Sequence, residues 1–209
     1  MKEAPRAGGR RRPDYALIEA LVPPGAKVLD LGCGDGELLD NLIQAKGCEG
    51  QGIEIKEQLV AETIRRGVPV YHGDMLEGMT HYRDDSFDVV ILSQTLQQTT
   101  DPLAVIEEML RVGRRAIISF PNFGHWRIRL QLLLEGRMPR SELLSYPWFN
   151  TPNVHLCTIT DFRGLCAAQS LRIVEEIFLT PSFHQIGSFL ANWRAGLAIF
   201  QVERKEVGE

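Results

Sequence analysis

Several things are scarce in this sequence. Apolar runs are short, such as residues 89–92 and 132–134, and none approaches the ~18 residues that a membrane-spanning helix needs. No apolar stretch follows the basic start (Lys2, Arg6, Arg10, Arg11, Arg12), so a secretory signal is not expected there. The four cysteines, at 33, 48, 157 and 166, form no Cys-x-x-Cys pair and no disulfide-like framework. Free thiols without an export signal lead us to expect a cytoplasmic protein. His155, Cys157 and Cys166 match no zinc-finger spacing and have no evident fourth partner, so no metal is expected. A formal net charge of −4 creates no general field for nucleic acid or anionic lipid. Neither class of partner is expected.

What is present points to a packed domain. Apolar residues make up 44% and charged residues 24% of 209 positions, which is enough for a core and too apolar for general disorder. Helix and strand patterns alternate from residue 13 to about 120. A helix begins near Pro13-Asp14 and stops at Pro23-Pro24-Gly25. Residues 28–31 read as a strand buried on both faces. A helix over 36–46 ends at Gly47, and the next strand covers 50–55. Residues 56–66 read as a helix with Leu59, Val60 and Ile64 on one face. Strands follow at 68–71 and 87–92. Asp101-Pro102 opens another helix, with Leu103, Ile106 and Leu110 on its buried side and Gly113 as its stop. Residues 116–120 form the fifth strand.

The rhythm breaks over 121–159, which holds Trp126 and Trp148 and a predicted helix over 125–135. Thr160 is then expected to cap a helix running to about 169, and strands over 171–178 and 197–203 close the chain. The pattern predicts a doubly wound α/β sheet. Residues 13–205 form one domain in this reading, residues 1–12 a flexible basic tail, and 121–159 a cap or interface insertion. The insertion carries Phe123, Trp126, Trp148 and Phe149 with Arg127, Arg129, Arg137 and Arg140, the residue types that anchor interfaces.

Chemistry concentrates after the first strand. Gly32, Gly34 and Gly36 stand at a strand-to-helix turn, where the backbone bends sharply and a ligand must approach closely. Only a small side chain fits at Cys33. A dinucleotide fingerprint does not fit, because the third glycine comes one residue early and Glu37 occupies its place. Asp30 and Asp35 beside this loop repel a pyrophosphate and suit a ligand with an ammonium group and a positive sulfur. Glu54 ends the second strand, where a carboxylate can accept from both ribose hydroxyls. Asp74, after Gly73, follows the third strand and is placed to accept from an exocyclic amine.

The run VLDLGCGDG, Glu54, the Gly73-Asp74 pair and the segment SFDVVILSQTLQQ resemble class I S-adenosylmethionine-dependent methyltransferases. That resemblance implies a Rossmann-like, mostly parallel seven-stranded sheet with helices on both faces and a final antiparallel strand. It implies S-adenosylmethionine, or S-adenosylhomocysteine, as the bound cofactor. Asp30 with Gly32, Gly34 and Gly36 would hold the methionine part, Glu54 the ribose and Asp74 the adenine, with Cys33, Ile55, Gly73 and Met75 as further cofactor-binding residues. Gln94 and Thr95 would border the sulfonium. Tyr15, on the first helix, is a further possible contact.

The acceptor is not legible. No Asn-Pro-Pro-aromatic tetrapeptide follows the fourth strand, which continues Ser93-Gln94-Thr95-Leu96, and no Pro-Cys pair is present for attack on cytosine. His125 is the only candidate base, with a packing role as its alternative. Outside the cofactor motifs, RPDYALIEALVPPG, FPNFGHWRIRLQLLLEGRMPR, YPWFNTPNVHLCTITDF and NWRAGLAIFQVER resemble the MetW family of bacterial methionine biosynthesis. This narrower resemblance runs from about Arg12 to Arg204. It implies a protein that acts with homoserine O-acyltransferase, of the acetyl- or succinyl-transferring kind. The alternative is an active small-molecule methyltransferase whose acceptor is not named by the sequence.

Overall fold

The structure is a computed structural model that describes residues 12–140 and 146–205. Residues 1–11, most of the expected basic tail, lie outside the described residues, as do residues 141–145 of the expected insertion. Helix α1 (Tyr15–Leu21) leads into β1 (Lys27–Leu31), α2 (Glu37–Lys46), β2 (Glu49–Glu54), α3 (Glu57–Arg65) and β3 (Val70–His72). A short α4 (Met75–Met79) precedes β4 (Phe87–Ser93), a 3-10 turn (Leu96–Gln98), α5 (Pro102–Val112) and β5 (Gly113–Pro121). After α6 (Trp126–Glu135) and α7 (Ile159–Ala168) come β6 (Leu171–Leu179), β7 (Gln185–Ile186), α8 (Ala191–Arg194) and β8 (Leu197–Arg204).

The strand order is β3-β2-β1-β4-β5-β8-β6-β7. Strands β1 to β5 pair in parallel, and β8 inserts antiparallel between β5 and β6. This is the expected sheet, with the two-residue β7 added at one edge against β6. The chain leaves the centre through β1, runs outward to β3, then returns to place β4 on the other side of β1. That reversal opens a crevice above the carboxyl ends of β1 and β4.

Burial on both faces explains why the central strands read as near-continuous apolar runs. Leu29, Leu31, Val90, Leu92, Ile118 and Phe200 face one half of the core, and Val28, Val89, Ile91, Ile117 and Ile199 face the other. Across β5 and β8, Phe120 stacks on Phe200 at 5.7 Å, and Phe162 of α7 closes on Phe200 at 4.7 Å. Among the described residues no helix is long and apolar enough to cross a membrane.

Three local expectations are corrected. Ile64 is 60% exposed. Thr63 is buried in its place, because its hydroxyl donates to the Gly34 and Leu59 carbonyls at 2.9 and 3.0 Å. Leu103 is partly exposed, while Val105, Ile106, Met109 and Leu110 face the core. The cap of α7 is Thr158, two residues before Thr160, since Asp161 completes a reciprocal capping box with it. Asp101 caps α5 as expected, accepting from the Ala104 amide at 3.0 Å.

Candidate functional site

The crevice holds a cavity of about 1060 Å³. Its wall begins with the glycine turn. Gly32, Gly34 and Gly36 have φ of +68°, +64° and +77°, a region that L side chains rarely adopt. At Gly36 a β-carbon would stand 2.8 Å from Thr63 Cγ2, so the turn and α3 approach closely only because nothing projects there. The Gly32 and Cys33 amides donate to the Ile53 carbonyl at 2.8 and 3.1 Å, tying the turn to the end of β2.

Glu54 is the anchor of the next wall. It is buried, and its two oxygens accept separately from the Gly34 amide and the Lys56 amide, each at 2.9 Å. The carboxylate is therefore locked, while each oxygen retains a lone pair for another donor. Asp30 lies behind the turn at the end of β1, only 3% exposed. Burial pushes its carboxyl up to about 7; Arg12 pulls it down and Glu54 adds to the rise. Asp35 also lines the cavity, and its carboxylate accepts from Arg66 Nη2 at 3.1 Å. Asp74 caps α4, its Oδ1 accepting from the Leu76 and Glu77 amides at 2.8 and 3.4 Å.

Ten of the expected residues line the cavity together: Gly32, Cys33, Gly34, Glu54, Ile55, Gly73, Asp74, Met75, Gln94 and Thr95. Asp30 and Gly36 support them from behind. His125 does not line this cavity. It caps α6, its Nδ1 accepting from the Arg127 amide at 3.3 Å, with its ring beside Trp126. Burial and Arg127 lower its pKa, which favours the neutral ring that this capping bond requires. Among the described residues no group of three or more His, Cys, Asp or Glu is placed to hold a metal. Burial raises the Cys157 and Cys166 thiols to about 12 and about 11, keeping both neutral.

Sequence reasoning missed Arg12, grouped with the tail, and Asp14. Arg12 lies on the cavity wall with its guanidinium 4.6 Å from the centre of the Tyr15 ring. It forks onto the fully buried Asp14 and donates to Ser93 Oγ at 2.9 Å. Gln94, held at φ +52°, donates from Nε2 to the same Asp14 carboxylate at 2.9 Å. The N-terminal segment is thereby strapped to the end of β4. An Arg-Pro-Asp-Tyr run at the very start of a helix was the available signal.

A family model described as methionine biosynthesis protein MetW matches residues 12–202. The chain belongs to the MetW family. A relative from Rhodopirellula baltica, named bifunctional methionine biosynthesis protein MetXA/MetW, is 38% identical over 174 residues, covering 79% of this chain and 28% of the relative. A ubiquinone biosynthesis O-methyltransferase from Xanthomonas axonopodis pv. citri is 31% identical over 132 residues, covering 56% of this chain and 55% of that protein. The chain thus spans about a quarter of the first relative and about half of the second. A crystal structure of an S-adenosylmethionine-dependent methyltransferase from Mesorhizobium loti superposes with a TM-score of 0.67 at 17% identity, covering 92% of this chain and 98% of that one. The fold is the Rossmann-like methyltransferase fold.

In this family member the glycine turn is a steric requirement. Gly36→Ala is expected to lower unfolding free energy by about 1–3 kcal/mol, through the strained φ and the Thr63 contact. Urea denaturation followed by circular dichroism measures it; a loss below a few tenths would show that the turn tolerates a side chain.

Proposed function

We propose that this chain is an S-adenosylmethionine-binding module of methionine biosynthesis that acts with homoserine O-acyltransferase in the cytoplasm and adjusts its activity. The observation that carries the ligand reading is Glu54. A carboxylate fixed by two amides, with one lone pair left on each oxygen, suits a pair of vicinal hydroxyls. The glycine turn beside it admits the chain that joins ribose to an amino acid. Asp30 and Glu54 supply negative charge for the ammonium and sulfonium, and Arg12 supplies a cation for the carboxylate. The partner reading is supported by the Rhodopirellula relative, whose name places MetXA and MetW in one chain.

A working methyltransferase is the second reading, favoured by the similarity to a ubiquinone biosynthesis O-methyltransferase. Methyl transfer from a sulfonium asks mainly for alignment in a dry site, so an acceptor lying over the cavity would need no base unless it must lose a proton. Turnover to S-adenosylhomocysteine in the presence of a metabolite pool would favour this reading over the first.

Calorimetric titration with S-adenosylmethionine and S-adenosylhomocysteine tests the ligand. Glu54→Ala removes two charge-assisted hydrogen bonds to the ribose and is expected to weaken binding by about 10- to 100-fold. Equal affinity in the variant, or tighter binding of a nicotinamide dinucleotide, would overturn the reading.

Asp30 makes binding depend on pH. A ligand ammonium nearby favours the charged carboxylate, so below about pH 7 binding releases a proton and affinity rises as the pH is raised from 6 to 8. Titrations in buffers of different ionisation heat measure the release. A flat profile, or proton uptake, would remove Asp30 from the ligand's surroundings.

For the partner, acyltransferase activity is measured with and without this chain over a range of S-adenosylmethionine. A ligand can act on the partner only through different affinity for two states. Activity is expected to change on addition of the chain and again on addition of ligand; no change in either comparison refutes the regulatory reading.

A further inference from the structure

Helix α6 is turned inside out. A surface helix normally packs its apolar stripe on the core, yet Ile128 is the one buried residue of this helix. Trp126, Leu130, Leu133 and Leu134 recur at spacings of four, three and one, which places them on one face. Their exposures are 36, 43, 80 and 73%. The stripe continues onto a second element. Arg129 donates from Nε to the Gly124 carbonyl at 2.6 Å and stacks on Trp193 of α8 at 5.5 Å. Beside that contact Phe189 and Leu190 are 74 and 57% exposed, and Leu190 is held at φ +49°. A leucine in the left-handed region costs about 1–3 kcal/mol, a strain that persists only where the surroundings impose it. Seven large apolar side chains on α6, on α8 and on the residues that lead into α8 exceed what a monomer ordinarily leaves to water.

The charge around this face selects the occupant. Arg127, Arg137 and Arg194 are exposed about it, and Glu135 is the only carboxylate on α6. A second copy related by a two-fold axis would set this arginine-rich face against a face with the same excess of positive charge. A partner with an apolar groove and an acidic rim meets both features. The Rhodopirellula relative, of which this chain's match covers 28%, carries a MetXA part in the same polypeptide. Joining the parts keeps the neighbour at high effective concentration. A separate chain must make the same contact by affinity, through an apolar centre within an interface of about 800 Å² per partner.

We propose that the exposed stripe of α6, with Phe189, Leu190 and Trp193, is the surface on which the acyltransferase subunit docks. This rests on the partner reading above. The surface is separate from the adenosyl cavity, none of whose lining residues belongs to it.

The test uses the full chain and purified acyltransferase, with affinity measured by calorimetry or biolayer interferometry. Leu133→Glu with Leu134→Glu, and separately Phe189→Glu, are expected to weaken the complex by 100-fold or more. Ile64→Glu, on the exposed side of α3, is expected to leave it intact. S-Adenosylmethionine affinity, unchanged in all variants, shows that each is folded. If the wild type binds and both stripe variants bind equally well, the surface is wrong and the partner reading survives. If the wild type does not bind the acyltransferase, the partner reading fails and this surface with it. A homodimer, seen by light scattering and split by the leucine substitutions, would give the stripe to a second copy and overturn the proposal.

Discussion

Burying Glu54 at the end of β2 removes a carboxylate from water, and the protein offsets that penalty with backbone amides rather than with a cation. The Gly34 and Lys56 amides each donate to one of its two oxygens, so the carboxylate is held in place. Everything in the cavity follows from that constraint. Gly34 can present its amide only because the turn bends through three residues at positive φ. The turn can bend there only because Thr63 of α3 meets a glycine at position 36. Asp30, one strand away, is pushed up to about 7 by its own burial, against the pull of Arg12 and with a smaller push from Glu54.

The same cavity is also lined by the segment that enters α1. Arg12, Asp14 and Gln94 form one network in which the guanidinium is paired with Asp14 yet still borders the cavity. Asp14 therefore does two structural tasks. It balances the Arg12 charge at a buried position, and it takes the side chain of Gln94, whose strained backbone lies where β4 ends. The result is a cavity whose wall carries both fixed carboxylates and a tethered cation.

Two surfaces with different physics thus coexist on one sheet. The cavity is concave, polar and built on strand ends that the core holds rigid. The α6 face is exposed, apolar and flanked by arginines, and it is joined to the domain through Ile128, Arg129 and the loop after β5. The ends of β4 and β5 are joined where the Gln94 amide donates to Ser119 Oγ at 3.1 Å.

The sequence by itself determined the alternation of strands and helices, the glycine turn, and the acids at the ends of β1, β2 and β3. These are local signals, set by apolar periodicity, by φ requirements and by the distance from a strand's end. The MetW resemblance of residues 12–204 was legible for the same reason, since it rests on short runs of chain. Only the tertiary structure decided which charges are available. Asp35 pairs with Arg66 on the cavity wall, Arg12 stands on that wall rather than in the tail, and His125 caps a helix, because each depends on a neighbour distant in sequence or on a direction that spacing does not encode. It likewise decided that the leucines of α6 face outward and that Thr63, not Ile64, faces inward. A helical pattern states which residues share a face, and only the packing of the whole chain states where that face points.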